Sequence, residues 1–138
     1  MVFSNLEFAT LVHIMLLLYT EKESEDWLTS DYIAGSVGVN AAVVRREIKK
    51  LKQAGLVVSK EGKNGGVKII PDSEIDLAKI YLANVSDKEE KYNNTNPKCA
   101  VGGSINELLE EIYQQTDLEV IQSLQKIKLS SMYKNLKK

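Results

Sequence analysis

The chain has 138 residues, of which 43% are hydrophobic and 27% are charged, and its net charge is −1. This size and composition predict one folded domain with its own core and exclude an intrinsically disordered chain. A single cysteine excludes an intramolecular disulfide and a cluster held by four cysteines of one chain. We expect a soluble, cytoplasmic protein, because no signal peptide is visible and the apolar run 11–19 is shorter than the ~20 residues that span a bilayer.

The positive charge is concentrated in one part of the chain. Residues 1–39 hold one lysine against six acids, and residues 71–138 hold nine basic against eleven acidic side chains. Residues 40–70 hold eight basic side chains against two acidic ones, which leaves a local charge of +6. Such a block indicates a surface for a polyanion, although a solvated cationic helix would carry the same charge.

The first predicted elements are two helices. Ser4 can cap a helix that runs to about Tyr19, because apolar residues recur along it at spacings of three and four. A charged loop follows this helix. Thr29 or Ser30 then begins a second helix, which we expect to end near residues 37–38.

A third helix, from a cap at Asn40 to Ala54, completes a helix-turn-helix pattern. Ala34, Gly38 and Val44 supply the small, positive-φ and apolar positions that this unit needs. At about 100° per residue, the apolar side chains of the third helix gather on one face. The opposite face carries Ala42, Arg45, Arg46, Lys49 and Gln53.

Two short strands, 56–60 and 66–70, flank the turn EGKNGG and predict a β-hairpin with basic side chains at its tip. A basic helix followed by a basic hairpin is typical of a winged helix-turn-helix that binds double-stranded DNA. Arg45 or Arg46 could reach guanine edges in the major groove, and Lys49 a phosphate. Gly65 and Gly66 would let the backbone approach the sugar-phosphate chain. The residues predicted to contact DNA are Thr29, Ser30, Asn40, Ala41, Ala42, Arg45, Arg46, Lys49, Lys60, Lys63, Asn64, Gly65 and Gly66.

The C-terminal half predicts two more helices around an exposed loop. Asp76 can cap a short helix through Val85, and Ser104 a longer one of some twenty residues, with a last turn or a short helix after Ser130 or Ser131. The apolar stripe of the longer helix predicts a homodimer interface, although it could fold back on the first helix instead. The stripe consists of Ile105, Leu108, Leu109, Ile112, Ile121 and Leu124. The chain thus divides into a DNA-binding domain (1–85), a loop (86–103) and a dimerisation helix with a tail (104–138).

Several segments together resemble the Rrf family of bacterial transcription regulators, which includes IscR, NsrR and CymR. They are WLTSDYIAGSVGVNAAVVRREIKKLKQAGLV, EIDLAKIYLAN and NPKCAVGGSINELLEEI, and the resemblance covers residues 4 to about 127. It is greatest to the single-cysteine branch of the family found in Firmicutes. The resemblance implies a mainly α-helical protein with a small β-hairpin, a homodimer held by the long C-terminal helix, and a partly palindromic operator, usually repressed.

Cys99 and His13 are the remaining candidates for chemistry. Cluster-binding members of the family carry three closely spaced cysteines, so with Cys99 alone we expect no iron–sulfur cluster, no metal and no other cofactor. Lys98 beside Cys99 would favour the thiolate, which makes an oxidant or small-molecule signal a hypothesis. A half-buried cysteine without a signalling role is the alternative. His13 is expected in the core or at an interface.

The sequence favours a regulator over an enzyme. It contains no phosphate-binding loop, no zinc-protease motif and no acid pair in a recognisable setting. The alternative function is a protein–protein adaptor, in which the basic winged helix meets an acidic protein surface instead of DNA. The expected partners are therefore double-stranded DNA and a second copy of the chain, with no membrane.

Overall fold

The chain, described by a computed structural model over residues 5–71, 74–85 and 92–136, is mainly helical with one two-stranded antiparallel hairpin. The elements are α1 Leu6–Thr20, α2 Ser30–Val37, α3 Ala41–Gln53, β1 Val57–Lys60, β2 Gly66–Ile69, α4 Leu77–Val85, α5 Ile105–Leu124 and α6 Leu129–Lys134. This architecture confirms the predicted fold class. The predicted cap Ser4 and the first part of the predicted loop, 86–91, lie outside the described residues.

Side-chain caps set the start of four helices. Asn5, Thr29, Asn40 and Asp76 each accept a hydrogen bond from the backbone N–H three residues further on, at 2.7–3.1 Å. Each cap satisfies a donor that the first turn leaves unpaired. The predictions for α2, α3 and α4 are confirmed, whereas α1 is capped by Asn5. Ser104 stands at the N-cap position of α5, but its side chain makes no capping hydrogen bond there, so that prediction is wrong.

The core lies around α1, which packs against α2, α3, α4, α6 and the hairpin. The three characteristic positions of the helix-turn-helix have the roles that the sequence predicts. Ala34 is buried, Gly38 ends α2 in the left-handed region at φ +83°, and Val44 is fully enclosed. Gly is favoured at such a φ because it has no Cβ. The turn therefore fixes α3 across α2 and leaves one face of α3 outside.

The C-terminal helices do not pack apart from the rest of the chain. Leu124, at the end of α5, and Leu129, at the start of α6, are buried in the same core as α1. The backbone N–H of Leu129 also donates to the Ile75 carbonyl at 3.0 Å. Leu124, predicted at a dimer interface, is thus a core residue of its own subunit. The predicted division of the chain at residues 85 and 103 stays a prediction about function, since side chains from both sides of it pack in the same core.

The longest described helix, α5, carries many polar and charged side chains along its length. Among the described residues, no helix combines the length and the apolar character needed to cross a membrane.

Candidate nucleic-acid interface

The exposed face of α3 is basic, as the helical wheel predicts. Val44, Ile48 and Leu51 are buried against the core. The side chains on the opposite side are all exposed, and they are Ala42, Arg45, Arg46, Lys49 and Gln53. Because the exposed face begins with the small Ala42, the first turn of α3 is narrow. A narrow cationic helix end fits the major groove, which is about 12 Å wide.

The hairpin forms a wing beside α3, here defined as β1, the loop 61–65 and β2. The strands pair in antiparallel register from Val57 with Ile69 to Lys60 with Gly66. The loop has five residues, and Asn64 adopts the left-handed region at φ +65°. Asn tolerates that region better than most residues because its short polar side chain can bond locally. The loop exposes Lys63 at the tip of the wing.

The two glycines at the end of the loop serve the packing of the wing itself. Gly66 has φ +151°, and a Cβ there would overlap the Leu28 carbonyl. Leu28 and Val67 exchange backbone hydrogen bonds of 3.1 and 2.8 Å, so the segment before α2 pairs with the wing. A Cβ on Gly65 would likewise overlap the Lys60 carbonyl. Packing within the wing and against Leu28 thus requires both glycines, whereas the sequence suggested that they let the backbone approach DNA.

A cleft of about 370 Å³ opens between the start of α2, α3 and the wing. It brings together six predicted contact residues, which are Thr29, Ser30, Arg45, Lys60, Gly65 and Gly66. Asp31 and Glu61 also line it and reduce its positive potential. The other predicted contact residues lie outside its lining, namely Asn40, Ala41, Ala42, Arg46, Lys49, Lys63 and Asn64.

Trp27 connects two lysines of the wing, a role that sequence reasoning did not assign. The ammonium groups of Lys60 and Lys68 lie 5.9 and 5.4 Å from the centre of the Trp27 ring. Such contacts stabilise a cation through the negative face of the ring. Lys68 also donates to the Ser24 carbonyl at 2.9 Å. Lys68 is therefore held in the fold, and Lys60 keeps its position at the cleft.

Glu47 and Lys50 form a second feature that the sequence reading missed. Glu47 is buried in the middle of α3, and its carboxylate contacts the Lys50 ammonium at 3.1 Å. Lys50 reaches Glu7 of α1 and Asn84 of α4 as well. Lys50, counted in the basic block, is thus neutralised inside the protein. The spacing of three residues between Glu47 and Lys50 was the available signal, since such pairs face each other on a helix.

The predicted dimerisation residues lie mostly outside the core. Leu108 and Ile112 are 54% and 56% exposed, and Ile105, Leu109 and Ile121 are half-buried. Leu118, also on α5, is 55% exposed, although sequence reasoning did not assign it. Leu108 and Ile112 lie on one side of α5, whereas Leu118 is about 120° around the axis from Ile112. Large apolar side chains exposed together mark a surface that meets another apolar surface.

An apolar groove of about 720 Å³ runs along α1 and α6. Phe8, Val12, Leu16 and Met132 are among its lining residues. His13 lies at this groove and is exposed, so it is not a core residue of its own subunit, and its predicted place at an interface stays a prediction. Its Nε2 shares a hydrogen bond of 2.9 Å with Ser36 Oγ of α2, which is where its polar ring finds a partner.

Cys99 is exposed in the turn that precedes α5. Hydrogen bonds from the backbone N–H groups of Gly102 and Val101 lower the pKa of its thiol, because they stabilise the thiolate. The cause is therefore the folded turn; the sequence had suggested the neighbouring Lys98. The Gly103 N–H also donates to the Cys99 carbonyl at 2.8 Å, which helps to close the turn.

Residues 5–135 match the model of the Rrf2 family, described as iron-dependent transcriptional regulators. The chain is 34% identical over 113 residues to YwnA of Bacillus subtilis (strain 168), assigned as an HTH-type transcriptional regulator, and the match covers 80% of this chain and 81% of YwnA. The solved structure of T. potens IscR has a TM-score of 0.68 at 18% identity, over 96% of this chain and 86% of that one. CymR (YrzC), the global cysteine regulator of B. subtilis, has a TM-score of 0.68 at 17% identity, over 97% and 98%. At these identities, the two structures show the shared fold alone.

The residues of this chain do not fit the iron that the family description names. The sequence has one cysteine and one histidine, whereas an iron–sulfur cluster is held by several such ligands. Within the ranges that the structure describes, no three His, Cys, Asp or Glu side chains lie close enough to hold a metal ion. The fold, the basic helix, the wing and the sequence similarity nevertheless indicate the same family. The chain belongs to the Rrf2 family of transcriptional regulators, which are DNA-binding proteins and not enzymes.

Proposed function

We propose that this protein is a sequence-specific regulator that acts in the cytoplasm as a homodimer on a palindromic operator. One observation carries the proposal: Arg45 of α3 and Lys60 of the wing line the same cleft, beside the start of α2. Helix and wing therefore offer cations to one side of the molecule, as a duplex requires. In this arrangement α3 enters the major groove, and the wing contacts phosphates or the minor groove.

A salt titration of binding to random duplex DNA tests this proposal. If two subunits each offer Lys49, Lys60 and Lys63 to phosphates, about six contacts form, and affinity should fall about a thousandfold between 50 and 200 mM salt. A steep linear slope of log affinity against log salt supports the proposal. No measurable binding at low salt contradicts it and favours the adaptor, whose partner would be an acidic protein.

Lys63→Ala separates the wing from the recognition helix. Because Lys63 stands at the exposed tip, its loss should weaken all duplexes similarly and reduce the salt slope by about one contact per subunit. The matched control is Lys134→Ala, which removes an exposed lysine from α6, away from the cleft. A loss confined to one DNA sequence would contradict the proposed role of the wing.

The exposed apolar side chains of α5 support a homodimer. Leu108 and Ile112 have no apolar cover within the described part of their own subunit that would enclose them, and a second copy would supply it. The apolar groove along α1 and α6 is a surface of matching character. Two-fold symmetry would then place two α3 helices about one DNA turn apart, roughly 34 Å, and select a palindromic operator.

Repression is the direction that we propose for the regulator, since a dimer seated on a promoter excludes other proteins from it. The experiment is transcription in vitro from a promoter that overlaps the selected operator, with increasing protein. A decrease in transcript that follows operator occupancy supports repression, and an increase identifies an activator.

Cys99 is the site that we propose for a thiol signal. Its lowered pKa raises the fraction of thiolate, which is the form that reacts with oxidants, and its exposure gives them access to the sulfur. Peroxide, disulfide stress or an electrophile should change the operator affinity of the wild type and leave that of Cys99→Ser unchanged. Equal responses of both proteins, or no response of either, would remove the proposal.

A further inference from the structure

The centre of α3 contains a carboxylate that contacts two cations. Glu47 is 1% exposed, and its Oε1 lies 3.2 Å from both the Lys50 ammonium and the Arg46 Nε. Its Oε2 lies 3.1 Å from the same ammonium. Removing a carboxylate from water is unfavourable unless such partners surround it. The net charge of α3 does not explain why this helix, which otherwise presents cations, buries an acid.

Lys50 fixes this carboxylate to the body of the protein. Its side chain is only 15% exposed, and its ammonium lies 3.6 Å from Glu7 of α1 and 3.3 Å from Asn84 of α4. Groups from two other helices therefore hold the ammonium that holds Glu47. The Glu47 carboxylate is therefore held in place and gives the Arg46 Nε a fixed hydrogen-bond acceptor.

Arg46 is held at one end and accessible at the other. Its side chain is 62% exposed, while its Nε donates to Glu47. A guanidinium has five N–H donors in a planar fork, so the contact at Nε leaves four on the two Nη atoms. These are the donors that can bind guanine O6 and N7 in a bidentate manner. Because the Nε contact restricts the rotamers of Arg46 before DNA arrives, less side-chain freedom is lost on binding.

Arg45 has a different position. It lines the cleft beside the wing with Lys60, about 100° around the helix axis from Arg46. The middle of the exposed face lies opposite the buried Val44, Ile48 and Leu51, and Arg46 is about 15° from it around the axis, whereas Arg45 is about 85° from it. Arg46 is therefore placed for the groove floor, and Arg45 for the backbone at the groove edge.

We propose that Glu47 is a positioning residue for DNA recognition, which presets Arg46 to read a guanine, with Arg45 contacting phosphate. The inference depends on the proposed DNA-binding function and deepens it by naming the base, the reading residue and the group that orients it. Lys50 holds the Glu47 carboxylate in place, and Glu7 and Asn84 hold Lys50.

The test begins with an operator selected from a pool of random duplexes by the wild-type protein. Dissociation constants are then measured for the operator, for each single base-pair variant and for a random duplex. Wild type should discriminate one guanine by roughly ten- to a hundredfold. Arg46→Lys keeps the charge without the fork and should lose this discrimination, while Arg45→Lys should keep it.

Glu47→Leu combined with Lys50→Met isolates the positioning role. It removes the Glu47–Lys50 pair together, so neither of these two charges is left buried alone, while Glu7 and Asn84 lose their contact with the Lys50 ammonium. Circular dichroism measures whether the fold persists. This variant should lose discrimination at the base pair that Arg46→Lys affects, with random-duplex affinity within about twofold of wild type. Adding Arg46→Lys to this double variant should not reduce the discrimination at that base pair any further. Glu47→Gln, which keeps an oxygen that accepts from Nε, should retain most of the discrimination.

The outcomes separate the two proposals. If the double variant weakens all duplexes equally, or leaves the guanine preference intact, Glu47 has a merely structural role and the inference is wrong. If the affected base pair follows Arg45, the assignment of the reading residue is wrong. If the wild type selects no sequence and binds no duplex at low salt, the proposed function itself fails. Should the double variant not fold, unchanged specificity in Glu47→Ala would equally overturn the inference.

Discussion

The outer face of α3 with the wing and the long helix α5 expose opposite kinds of surface. In the first region, apolar side chains such as Val44 and Leu51 are fully enclosed, and cations occupy the outer face of α3. In α5, the only buried residue is Leu124, and Leu108 and Ile112 are exposed. Charges left in water suit a ligand that is itself charged, whereas exposed apolar side chains suit an apolar partner. This difference supports the proposal that one surface of the chain binds DNA and another binds a second subunit.

The largest expected effect comes from charging the exposed stripe of α5. Leu108→Glu together with Ile112→Glu should raise the dimer dissociation constant by about a thousandfold, since the dimer loses four half-exposed side chains and burying the exposed part of each contributes about 1 kcal/mol. Sedimentation equilibrium measures the change. Operator affinity should fall with it, because each subunit then binds a half-site alone.

The control for that double variant is Gln114→Glu. It adds a carboxylate to an exposed position of α5, about 160° around the helix axis from Ile112. The dimer should tolerate this change. If both variants leave the dimer intact, the exposed stripe is not the interface, and the contrast between α5 and the rest of the chain loses its proposed meaning.

A variant of the wing tests whether the proposed DNA-binding surface is held by internal packing. Gly66→Ala should destabilise the protein by about 2–3 kcal/mol, because the new Cβ meets the Leu28 carbonyl at a φ that L residues rarely adopt. Urea denaturation measures the loss. Gly35→Ala is the matched control, since no atom lies within 4 Å of a Cβ there, and it should stabilise α2 by up to about 1 kcal/mol. Equal stability of both variants would contradict the close packing of wing and α2.

Elements whose signals are local could be predicted from the sequence. Asn40 and Asp76 are followed by helices because their side chains bond backbone groups three residues away, and no distant partner is needed. Gly38 is similar, since the turn depends on its own φ. The basic face of α3 also follows from helical periodicity alone, and all five of its predicted members are exposed.

Features that depend on distant residues could not be predicted. Glu47 reads as a surface acid, and although its pairing with Lys50 is local, the contacts of Lys50 with Glu7 of α1 and Asn84 of α4 are not. Leu124 continues the stripe of α5, yet it is buried in the core of its own subunit, where α4 packs against α5 and α6 against α1. The pairing of Leu28 with Val67 likewise joins segments about forty residues apart and has no periodicity to reveal it.

The smallest effect concerns the junction between α4 and α5, where the two kinds of surface meet. Tyr81 of α4 donates to Asp117 of α5 at 2.8 Å. Burial raises the pKa of Tyr81 to about 12, and the hydrogen bond to Asp117 and its negative charge act in the same direction. The folded protein thus favours the neutral phenol. Its contribution to stability is complete below pH 10 and is lost as the pH rises from 10 to 12.

Tyr81→Phe should therefore cost about 1–2 kcal/mol at neutral pH and abolish the extra loss of stability between pH 10 and 12. Denaturation across that pH range measures both effects. Tyr113→Phe, which removes the hydroxyl of an exposed tyrosine on α5, should cost less and leave the alkaline loss in place. If Tyr81→Phe weakens the dimer as well as the fold, this hydrogen bond also sets the position of α5 for its partner. If it alters the fold alone, the exposed stripe is positioned by the apolar contacts around Leu124, and the two surfaces of the chain are energetically separate.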